Sequence, residues 1–259
     1  MIALIDGDII NYRVGFTTNE DQEWIARART NEMVEGILAD TGAKEFALWL
    51  SDQRENNFRT HLWAGYKANR KNVPRPVHYD YIKELLINEW GARIAHGMEA
   101  DDALGIGQDQ GCWELAHDFN LGDLPSVLDY TDTVICSIDK DLLQVPGRHF
   151  NFVKKEWRDV TPQQGQRDFY RSILVGDATD NIKGCRGIGP VKAEKAFGDA
   201  NTPDAYFEVI LDLYKKQEVE KSTEEILQHI LLAGRLLKIR TEEDEPLWGF
   251  QHSQLTKAI

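Results

Sequence analysis

Short apolar runs alternate with longer amphipathic segments over the first 160 residues of the chain. Continuous apolar runs of about four to eight residues are typical of buried strands, whereas apolar residues three or four positions apart are typical of helices. Strands are accordingly predicted at 2–5, 46–50, 93–95, 133–138 and 149–153. Helices are predicted at 21–40, at 78–90, from 100 to about 117, and from Ile9 onward. This alternation predicts an α/β fold with a mostly parallel central sheet and helices on both faces.

Beyond Thr161 the apolar spacing is helical almost throughout. Helices are predicted there at 162–175, 190–197, 203–216 and 223–239. We therefore expect an α/β core over residues 1–160 and a helical region over residues 161–259, packed together as one body.

Three of the predicted strands end in acidic residues, which are Asp6, Asp52 and Asp139. Ligands of open α/β sheets bind at the carboxyl ends of the strands. A single aspartate after a strand is most often a turn residue or a helix cap, and Asp8 is placed to cap the helix that begins at Ile9. The recurrence of aspartate at three strand ends is harder to explain by turns alone, so it indicates a functional site.

Further acidic residues form clusters along the chain. They are Glu99, Asp101, Asp102, Asp139, Asp141, Asp177 and Asp180. The first three open a helix, whose positive dipole end tolerates carboxylates. The pair near residue 140 is two positions apart, so both carboxylates can face one side of an extended strand end. The last pair is three positions apart, which makes them neighbours on one helical turn.

Carboxylates gathered in one cleft would repel one another and raise each other's pKa unless cations were bound. Sites made only of oxygen ligands select Mg²⁺ or Mn²⁺ over zinc. A pair of such ions could activate a water molecule and stabilise the leaving oxygen of a phosphodiester. The acidic residues therefore predict a divalent-metal-dependent nuclease.

Charge is unevenly distributed along the chain, whose net charge of −13 argues at first against a nucleic-acid partner. No Lys or Arg occurs between Arg93 and Lys140. Two basic surfaces remain available for phosphate groups, one over 54–75 and one over 183–195. Their basic residues are Arg54, Arg59, Lys67, Arg70, Lys71 and Arg75 in the first, and Lys183, Arg186, Lys192 and Lys195 in the second.

The three cysteines are Cys112, Cys136 and Cys185. They lie far apart without a CxxC pair, which excludes a cysteine zinc site and is typical of a reducing cytosol. No apolar run approaches the ~20 residues that span a membrane, and the first residues lack the basic region of a signal peptide. We therefore expect a cytoplasmic protein that has no membrane partner.

Five segments together resemble one known family. They are Leu4-Ile5-Asp6-Gly7-Asp8, Tyr66-Lys67-Ala68-Asn69-Arg70-Lys71, Glu99-Ala100-Asp101-Asp102, Ser137-Ile138-Asp139-Lys140-Asp141, and Gly176-Asp177-Ala178-Thr179-Asp180-Asn181-Ile182 running on to Gly187-Ile188-Gly189-Pro190. Their order resembles that of the flap-endonuclease and 5′→3′-exonuclease superfamily, which has a PIN-like core, and especially the exonucleases encoded by phages. The resemblance spans residues 4 to about 197. Each segment alone is a weak signal, but the ordered set is specific.

The resemblance implies a site for two divalent ions, Mg²⁺ or Mn²⁺. The implied ligands are Asp6, Asp52, Glu99 and Asp101 in a first group, and Asp102, Asp139, Asp141, Asp177 and Asp180 in a second. Lys67 and Arg70 match basic residues that contact the scissile phosphate and stabilise its developing charge. Tyr66 matches an aromatic residue on which the terminal base can stack.

Residues 184–190 resemble the helix–three-turn–helix of the family, which here extends over about 179–199. Glycines let the backbone approach a phosphate closely, and the N–H groups of the following helix point toward it. The motif implies nonspecific binding of duplex DNA and a bound K⁺ ion. The implied DNA-binding residues are Arg186, Gly187, Gly189, Lys192, Lys195 and, from the earlier segment, Lys71. The implied substrate is DNA with 5′ ends, flaps or branched junctions, cleaved by a monomer in phage DNA replication or recombination.

The chain departs from the family pattern in three places. Ser172 stands where the family often has a lysine, and Arg171 beside it is a candidate substitute. The stretch between Asp52 and the helix near residue 78 is short for an elaborate arch and is predicted to form a simple loop. Residues 107–132 match nothing in the family, so no function is assigned to them.

Three other functions stay open from the sequence. A haloacid-dehalogenase-type phosphatase would explain the strand before Asp6-Gly7-Asp8 and the segment 176–181, although Ile10 stands where that family expects a threonine. A non-catalytic DNA-junction binder would use the basic surfaces but has no use for the acids. A ribonuclease of the PIN class shares the acidic core, whereas the helix–three-turn–helix favours duplex DNA.

Overall fold

The computed structural model describes residues 1–71, 73–109 and 132–254. These residues form two compact units, each built from three segments of the chain. The first unit comprises residues 1–58, 73–160 and 239–244, and the second comprises residues 59–72, 161–238 and from 245 onward. The segment that carries Lys67 and Arg70 therefore belongs with the C-terminal helices and not with the sheet.

A six-stranded sheet forms the centre of the first unit. Its strands are β1 (Ile2–Asp6), β2 (Glu45–Ser51), β3 (Arg93–Ala95), β4 (Thr133–Cys136), β5 (Gly147–Asn151) and β6 (Glu156–Val160). Their order across the sheet is β3-β2-β1-β4-β5-β6. Neighbouring strands are parallel except for β5 and β6, which are antiparallel. The prediction of a mostly parallel central sheet is confirmed.

Helices pack on both faces of this sheet, as predicted. The helices that begin in the first unit are α1 (Gly7–Thr17), α2 (Glu23–Thr41), α3 (Phe58–Leu62), α4 (Tyr79–Trp90) and α5 (Ala100–Asp109). Successive side chains of a strand point to opposite faces. Ala3 and Ile5 of β1 accordingly share a buried cluster with residues of α1, α2 and α4, whereas Leu4 packs in a separate cluster with Leu104 of α5.

Two sequence-based boundaries differ from the structure. No strand is predicted over 154–160, where the structure has β6. Most residues of β6 are exposed, so no apolar alternation marks the strand in the sequence. It forms because it pairs with β5 across a turn in which Lys155 has a φ of 56°. The predicted helix from Ala100 is observed as far as Asp109, and its remaining range, to about 117, lies outside the described residues.

The second unit consists mainly of helices, as predicted. They are α6 (Pro162–Val175), α7 (Pro190–Phe197), α8 (Pro203–Gln217) and α9 (Thr223–Leu237), with a small hairpin of β7 (Gly176–Asp177) and β8 (Ile182–Lys183) after α6. Thr161 and Ser222 start α6 and α9 with capping boxes, which satisfy backbone N–H groups at the helix ends. Among the helices that the structure describes, none is both long and apolar enough to cross a membrane.

Arg59 fixes the start of the 59–72 segment within the second unit. Its side chain is buried. The guanidinium donates hydrogen bonds to the carbonyls of Leu236 and Lys238, both at 2.8 Å. These carbonyls lie at the C-terminal end of α9, where backbone acceptors lack helical partners and the helix dipole favours a cation. Arg59 thus caps α9 and anchors the segment that leads to Lys67.

Candidate active site

Carboxylates from four neighbouring strands are set along one edge of the sheet in the first unit. Asp6 is the last residue of β1, Asp52 follows β2, Glu99 follows the end of β3, and Asp139 follows β4. These four strands are adjacent and parallel, so their carboxyl ends meet at the same edge. We call these residues, with Asp8, Asp101 and Asp141, the acidic edge.

Asp6 is both the end of β1 and the N-cap of α1. One oxygen of its carboxylate accepts a hydrogen bond from the backbone N–H of Ile9 at 3.1 Å, and the other accepts one from the hydroxyl of Ser137 at 2.7 Å. The prediction that Asp8 caps this helix is wrong, because the helix begins directly after the strand. Asp8 instead accepts a hydrogen bond from the backbone N–H of Ser51 at 3.2 Å, which connects α1 to the end of β2.

The carboxyl of Asp6 lies in an environment that disfavours its charge. Burial is the largest cause that raises its pKa from 3.8 to about 7, and the charges of Asp8 and Asp139 raise the pKa further. The hydrogen bonds from Ser137 and Ile9 lower the pKa but are outweighed. A divalent cation would offset the repulsion among the three carboxylates.

The raised pKa of Asp6 predicts a pH-dependent stability of the metal-free protein. A carboxyl whose pKa rises on folding stabilises the folded state fully below its unfolded value of 3.8, and this contribution is lost as the pH rises through about 7. In EDTA, the free energy of unfolding of Asp6→Asn relative to the wild type should therefore increase by about 2 to 3 kcal/mol between pH 5 and pH 8. Urea denaturation of both proteins at several pH values measures this difference, and a constant difference would refute the assignment.

Asp52 holds the loop that follows β3. One of its oxygens accepts a hydrogen bond from the backbone N–H of Gly97 at 2.8 Å. The other accepts bonds from the backbone N–H of Gln53 at 2.7 Å and from the side-chain amide of Asn56 at 3.1 Å. The hydrogen bond from Gly97 is the largest cause that holds the pKa of Asp52 below its usual range. Asp52 therefore contributes a fixed negative charge to the acidic edge at neutral pH.

The first turn of α5 is attached to the end of β2. The backbone N–H of Ala100 donates a hydrogen bond to the hydroxyl of Ser51 at 2.9 Å. This contact brings the predicted ligands Glu99 and Asp101, both partly exposed, to the acidic edge. They remain candidates for metal binding.

Asp102 binds backbone groups in this structure, and its predicted role as a metal ligand stays a prediction. It is completely buried. One of its oxygens accepts a hydrogen bond from the backbone N–H of Glu99 at 3.2 Å, and the other accepts one from the backbone N–H of Arg240 at 3.1 Å. Since both oxygens of this buried carboxylate accept backbone hydrogen bonds, Asp102 stabilises the start of α5 and the 239–244 segment.

The predicted geometry of Asp139 and Asp141 is wrong. β4 already ends at Cys136, and Asp141 begins a short 3₁₀ turn, so the two carboxylates do not share one side of an extended strand. Asp139 accepts a hydrogen bond from the backbone N–H of Asp141 at 2.8 Å. The hydroxyl of Ser137 accepts one from the backbone N–H of Asp139 at 3.0 Å. Ser137 therefore connects Asp139 to Asp6.

Within residues 1–71, 73–109 and 132–254, no three Asp, Glu, His or Cys side chains are grouped so that they could hold a metal ion. The acidic edge instead brings the charges of Asp8 and Asp139 close enough to Asp6 to raise its pKa. Mg²⁺ usually keeps several water ligands and takes only one or two carboxylates from a protein. That one or two carboxylates of the acidic edge bind a metal directly, and that others act through water, stays a prediction.

In the second unit, four predicted site residues meet in one cluster. Asp180 accepts a hydrogen bond from the hydroxyl of Tyr66 at 3.0 Å and forms ion pairs with Arg70 and, at 3.6 Å, with Lys67. This carboxylate therefore holds two basic side chains. The structure contradicts the predicted stacking role of Tyr66, because its side chain is 2% exposed and packs in the core of the unit.

Asp177 and Asp180 do not share a helical turn, contrary to the prediction. Asp177 lies in β7, and Asp180 lies in the turn that leads to β8. Asp177 accepts a hydrogen bond from the backbone N–H of Thr179 at 2.7 Å. Gly176 permits this hairpin because it has a φ of 70° and because a side chain there would overlap the backbone of Gly184. That Asp177 and Asp180 bind a metal stays a prediction.

The loop before α7 contains the glycines and lysines predicted for phosphate binding. Gly187 has a φ of 74°, and Gly189 is the N-cap of α7, where no side chain caps the first N–H groups. Lys192 donates a hydrogen bond to the carbonyl of Gly187 at 2.8 Å, and Lys195 is exposed one turn further along. Arg186 donates a hydrogen bond to a backbone carbonyl at the end of α8 and pairs with an acidic side chain beyond it, and its contact with DNA stays a prediction.

Arg171 takes part in packing between α6 and α7. It forms ion pairs with Asp168 at 2.6 Å and with Glu194 at 3.8 Å. The hydroxyl of Ser172 donates a hydrogen bond to the carbonyl of Phe169 within the same helix at 2.6 Å. That Arg171 replaces the lysine of the family stays a prediction. Lys71, which is predicted to contact DNA, is exposed.

The ordered acidic edge and the parallel sheet that carries it agree with one known protein family. The model of the family described as 5′-3′ exonuclease, N-terminal resolvase-like domain, matches residues 1–170. The chain belongs to the 5′-3′ exonuclease family. The superfamily predicted from the five sequence segments is thereby confirmed.

Proteins similar in sequence include 5′-3′ exonucleases and DNA polymerases. The chain is 28% identical to the 5′-3′ exonuclease of Halalkalibacterium halodurans over 73% of this chain and 63% of that protein. It is also 28% identical to the thermostable DNA polymerase I of Thermus aquaticus, over 93% of this chain and 29% of that protein. The chain thus spans less than two-thirds of the length of each of these relatives.

Solved structures with a similar fold include exonucleases of bacteriophage T5. The T5 5′-exonuclease with bound zinc has a TM-score of 0.58 and 14% identity, over 91% of this chain and 89% of that one. The T5 flap endonuclease in a pseudo-enzyme–product complex with DNA and metal ions has a TM-score of 0.61 and 15% identity, over 90% and 88% of the two chains. At such identities the likeness shows the fold, and it confirms the predicted α/β core with a helical C-terminal region.

Asp8, Ser51 and Ser137 shape the acidic edge, although none of them is among the predicted ligands. Each lies one or two positions from a predicted ligand, as in Ser51-Asp52 and Ser137-Ile138-Asp139. A hydroxyl next to an acid at a strand end is the signal that could have identified the two serines. The sequence predicts Asp8 as a cap because it places the start of the helix at Ile9, whereas the helix begins at Gly7.

Proposed function

We propose that this chain is a divalent-metal-dependent 5′-nuclease that hydrolyses DNA phosphodiesters at or near 5′ ends, as a 5′→3′ exonuclease or flap endonuclease. The observation that carries the proposal is the acidic edge, where burial and the charges of Asp8 and Asp139 raise the pKa of Asp6 to about 7. A protein that only bound DNA would have no use for these carboxylates, which repel phosphates in the absence of a cation. Membership of the 5′-3′ exonuclease family supports the same activity.

Asp6 would hold the ion, together with Asp8 and Asp139, whose charges raise its pKa. The remaining carboxylates of the edge, which would bind directly or through water, are Asp52, Glu99, Asp101 and Asp141. Oxygen ligands of this kind favour Mg²⁺ or Mn²⁺. When bound, such an ion supplies a water molecule of lowered pKa and stabilises negative charge on phosphate oxygens. The resemblance to the family is the support for a second divalent ion.

Hydroxyl groups of the chain orient the carboxylates before any substrate arrives. Ser137 donates to Asp6 and accepts from the backbone of Asp139, so one side chain fixes two acids. Ser51 binds Asp8 through its backbone N–H and α5 through its hydroxyl. Groups fixed in this way need little reorganisation as charge develops on a phosphate. This preorganisation is the usual source of electrostatic catalysis.

Basic groups of the second unit would bind the phosphates. Lys67 and Arg70 have side chains that are 20% and 44% exposed and that are paired with Asp180. A phosphate would compete with this carboxylate for both cations. The uncapped N–H groups of α7, with Lys192 and Lys195, would bind the backbone of duplex DNA without reading its sequence.

A cleavage assay on end-labelled DNA tests the proposed function. We expect Mg²⁺-dependent cleavage of a 5′-flap substrate and of linear duplex, and no cleavage of a covalently closed circle or of any substrate in EDTA. Turnover of small phosphomonoesters without DNA cleavage would contradict the proposal and support the phosphatase alternative. Unchanged DNA affinity in EDTA with no cleavage in Mg²⁺ would contradict it in favour of a junction-binding protein.

Further parts of the proposal rest on the resemblance and, for the cytoplasm, on the cysteine spacing and the first residues of the sequence. The substrate would be DNA with 5′ ends, flaps or branched junctions, in replication or recombination of a phage. The protein would act as a monomer in the cytoplasm, which is that of the host cell if a phage encodes it. A K⁺ ion would bind at the loop over 184–189.

A further inference from the structure

Two loops that are far apart in sequence are joined in the second unit by side-chain amides. The amide of Asn181 donates a hydrogen bond to the carbonyl of Gly65 at 2.8 Å. The amide of Asn69 donates hydrogen bonds to the carbonyls of Ala178 at 2.9 Å and Thr179 at 3.2 Å. Each amide reaches from its own loop into the other one. We call this arrangement of residues 65–70 and 178–181 the two-loop contact.

The two-loop contact holds two residues in a backbone conformation that side chains disfavour. Lys67 has a φ of 52° and Asn181 has a φ of 64°. The backbone N–H of Lys67 donates a hydrogen bond to the carbonyl of Asp180 at 3.0 Å. Left-handed residues other than glycine persist where surrounding contacts enforce them, and they are concentrated at functional sites. One of these two residues, Lys67, is also one of the two cations that the proposed function assigns to the phosphate.

We propose that Asn69 and Asn181 are positioning residues, which set the places of Lys67 and Arg70 for the reacting phosphate. This inference rests on the proposed function. Asn69 lies between the two basic residues in the chain, and Asn181 directly follows Asp180, to which both of them are paired. An error of about 1 Å in the place of a catalytic group can reduce a rate by about 100-fold.

The amides suit this task because they are neutral. The ion pairs of Lys67 and Arg70 with Asp180 are exchangeable, since a phosphate can replace the carboxylate as the partner of both cations. The hydrogen bonds from the amides to backbone carbonyls do not compete with phosphate. They can therefore keep the loop in place while the cations change partners.

Asn181→Gly is the sharpest variant, because glycine adopts a positive φ without strain and only the amide is lost. Asn69→Ala removes the other amide at an exposed position. For cleavage of a 5′-flap DNA in Mg²⁺, we expect kcat to fall by about 10- to 100-fold in each variant. We expect the Kd for the same DNA, measured in EDTA, to change by less than about 3-fold, because the lost contact acts in the transition state.

A double-mutant cycle separates positioning from general destabilisation. In single-turnover reactions with excess enzyme, Asn181→Gly should reduce the rate by less than about 3-fold when the paired change Lys67→Ala and Arg70→Ala is already present. An undiminished loss in that background would overturn the proposal. Unchanged kcat in both amide variants, with folding confirmed by circular dichroism, would overturn it as well. If Asn181→Gly does not fold, Asn69→Ala supplies the same cycle.

Asn151→Ala is the matched control. The side-chain oxygen of Asn151 accepts hydrogen bonds from the backbone N–H groups of Val153 at 3.2 Å and Lys154 at 2.9 Å, in the turn between β5 and β6. The variant also loses hydrogen bonds between an asparagine side chain and the backbone, although here the side chain is the acceptor, and its kcat should equal that of the wild type. If the wild type does not cleave DNA, both proposals fail. If the wild type cleaves and Asp6→Asn does not, but the amide variants behave like Asn151→Ala, only this inference fails.

Discussion

Asp6→Asn is expected to reduce DNA cleavage by roughly 1,000-fold or more and, at the same time, to stabilise the metal-free protein above neutral pH. The carboxylate of Asp6 is the one whose pKa is raised by burial and by both of its acidic neighbours. Asparagine has almost the same shape, keeps an acceptor for the N–H of Ile9, and can donate to the hydroxyl of Ser137, which is able to accept. The variant therefore removes the charge without removing the local contacts.

A loss of activity together with a gain in stability distinguishes a functional carboxylate from a structural one. Cleavage of 5′-flap DNA in Mg²⁺ gives kcat, and thermal unfolding in EDTA at pH 8 gives the stability of the same preparations. A structural carboxylate would lose activity only together with stability. Activity within about 3-fold of the wild type, or a lower melting temperature for Asp6→Asn, would refute the assignment of Asp6.

Asp102→Ala is expected to reduce the free energy of unfolding by about 2 to 4 kcal/mol, because it leaves two part-buried backbone N–H groups without their acceptor. Those groups belong to Glu99 and Arg240. The neighbouring variant Asp101→Ala should cost less than about 1 kcal/mol, since its side chain is partly exposed. Adjacent aspartates in one helical turn therefore have different expected roles.

Activity should rank these two variants in the reverse order. Folded Asp102→Ala is expected to retain most of its kcat at low temperature, whereas Asp101→Ala should lose about 10-fold or more because it removes a candidate ligand at the acidic edge. Urea denaturation and flap cleavage at 15 °C measure the two properties. Equal stability losses in both variants would show that Asp102 is not the structural member of the pair.

The parallel sheet and its acidic edge could be predicted because they depend on local signals in chain order. The apolar run before Asp6 requires burial on both faces, which α1, α2, α4 and α5 supply. Parallel strands bring their carboxyl ends to one edge whatever the lengths of the intervening helices. Asp52 and Asp139 could be assigned to that edge from the sequence for the same reason.

The roles of individual side chains at the edge could not be predicted, because they depend on boundaries of one or two residues. Because α1 follows β1 without a break, Asp6 is the N-cap of the helix, and Asp8 accepts a hydrogen bond from the backbone N–H of Ser51. The burial of Tyr66 depends on long-range packing of the 59–72 segment with the C-terminal helices, to which no periodic pattern in the sequence points. The capping of the distant Arg240 backbone by Asp102 is equally non-local.

The central claim is that the acidic edge binds a divalent cation through Asp6. Titration of Mn²⁺ into the wild type and into Asp6→Asn at pH 7.5, with free Mn²⁺ followed by electron paramagnetic resonance, tests this claim most directly. We expect saturable binding by the wild type and an affinity at least about 10-fold lower for Asp6→Asn. Equal Mn²⁺ affinities of the two proteins would contradict it.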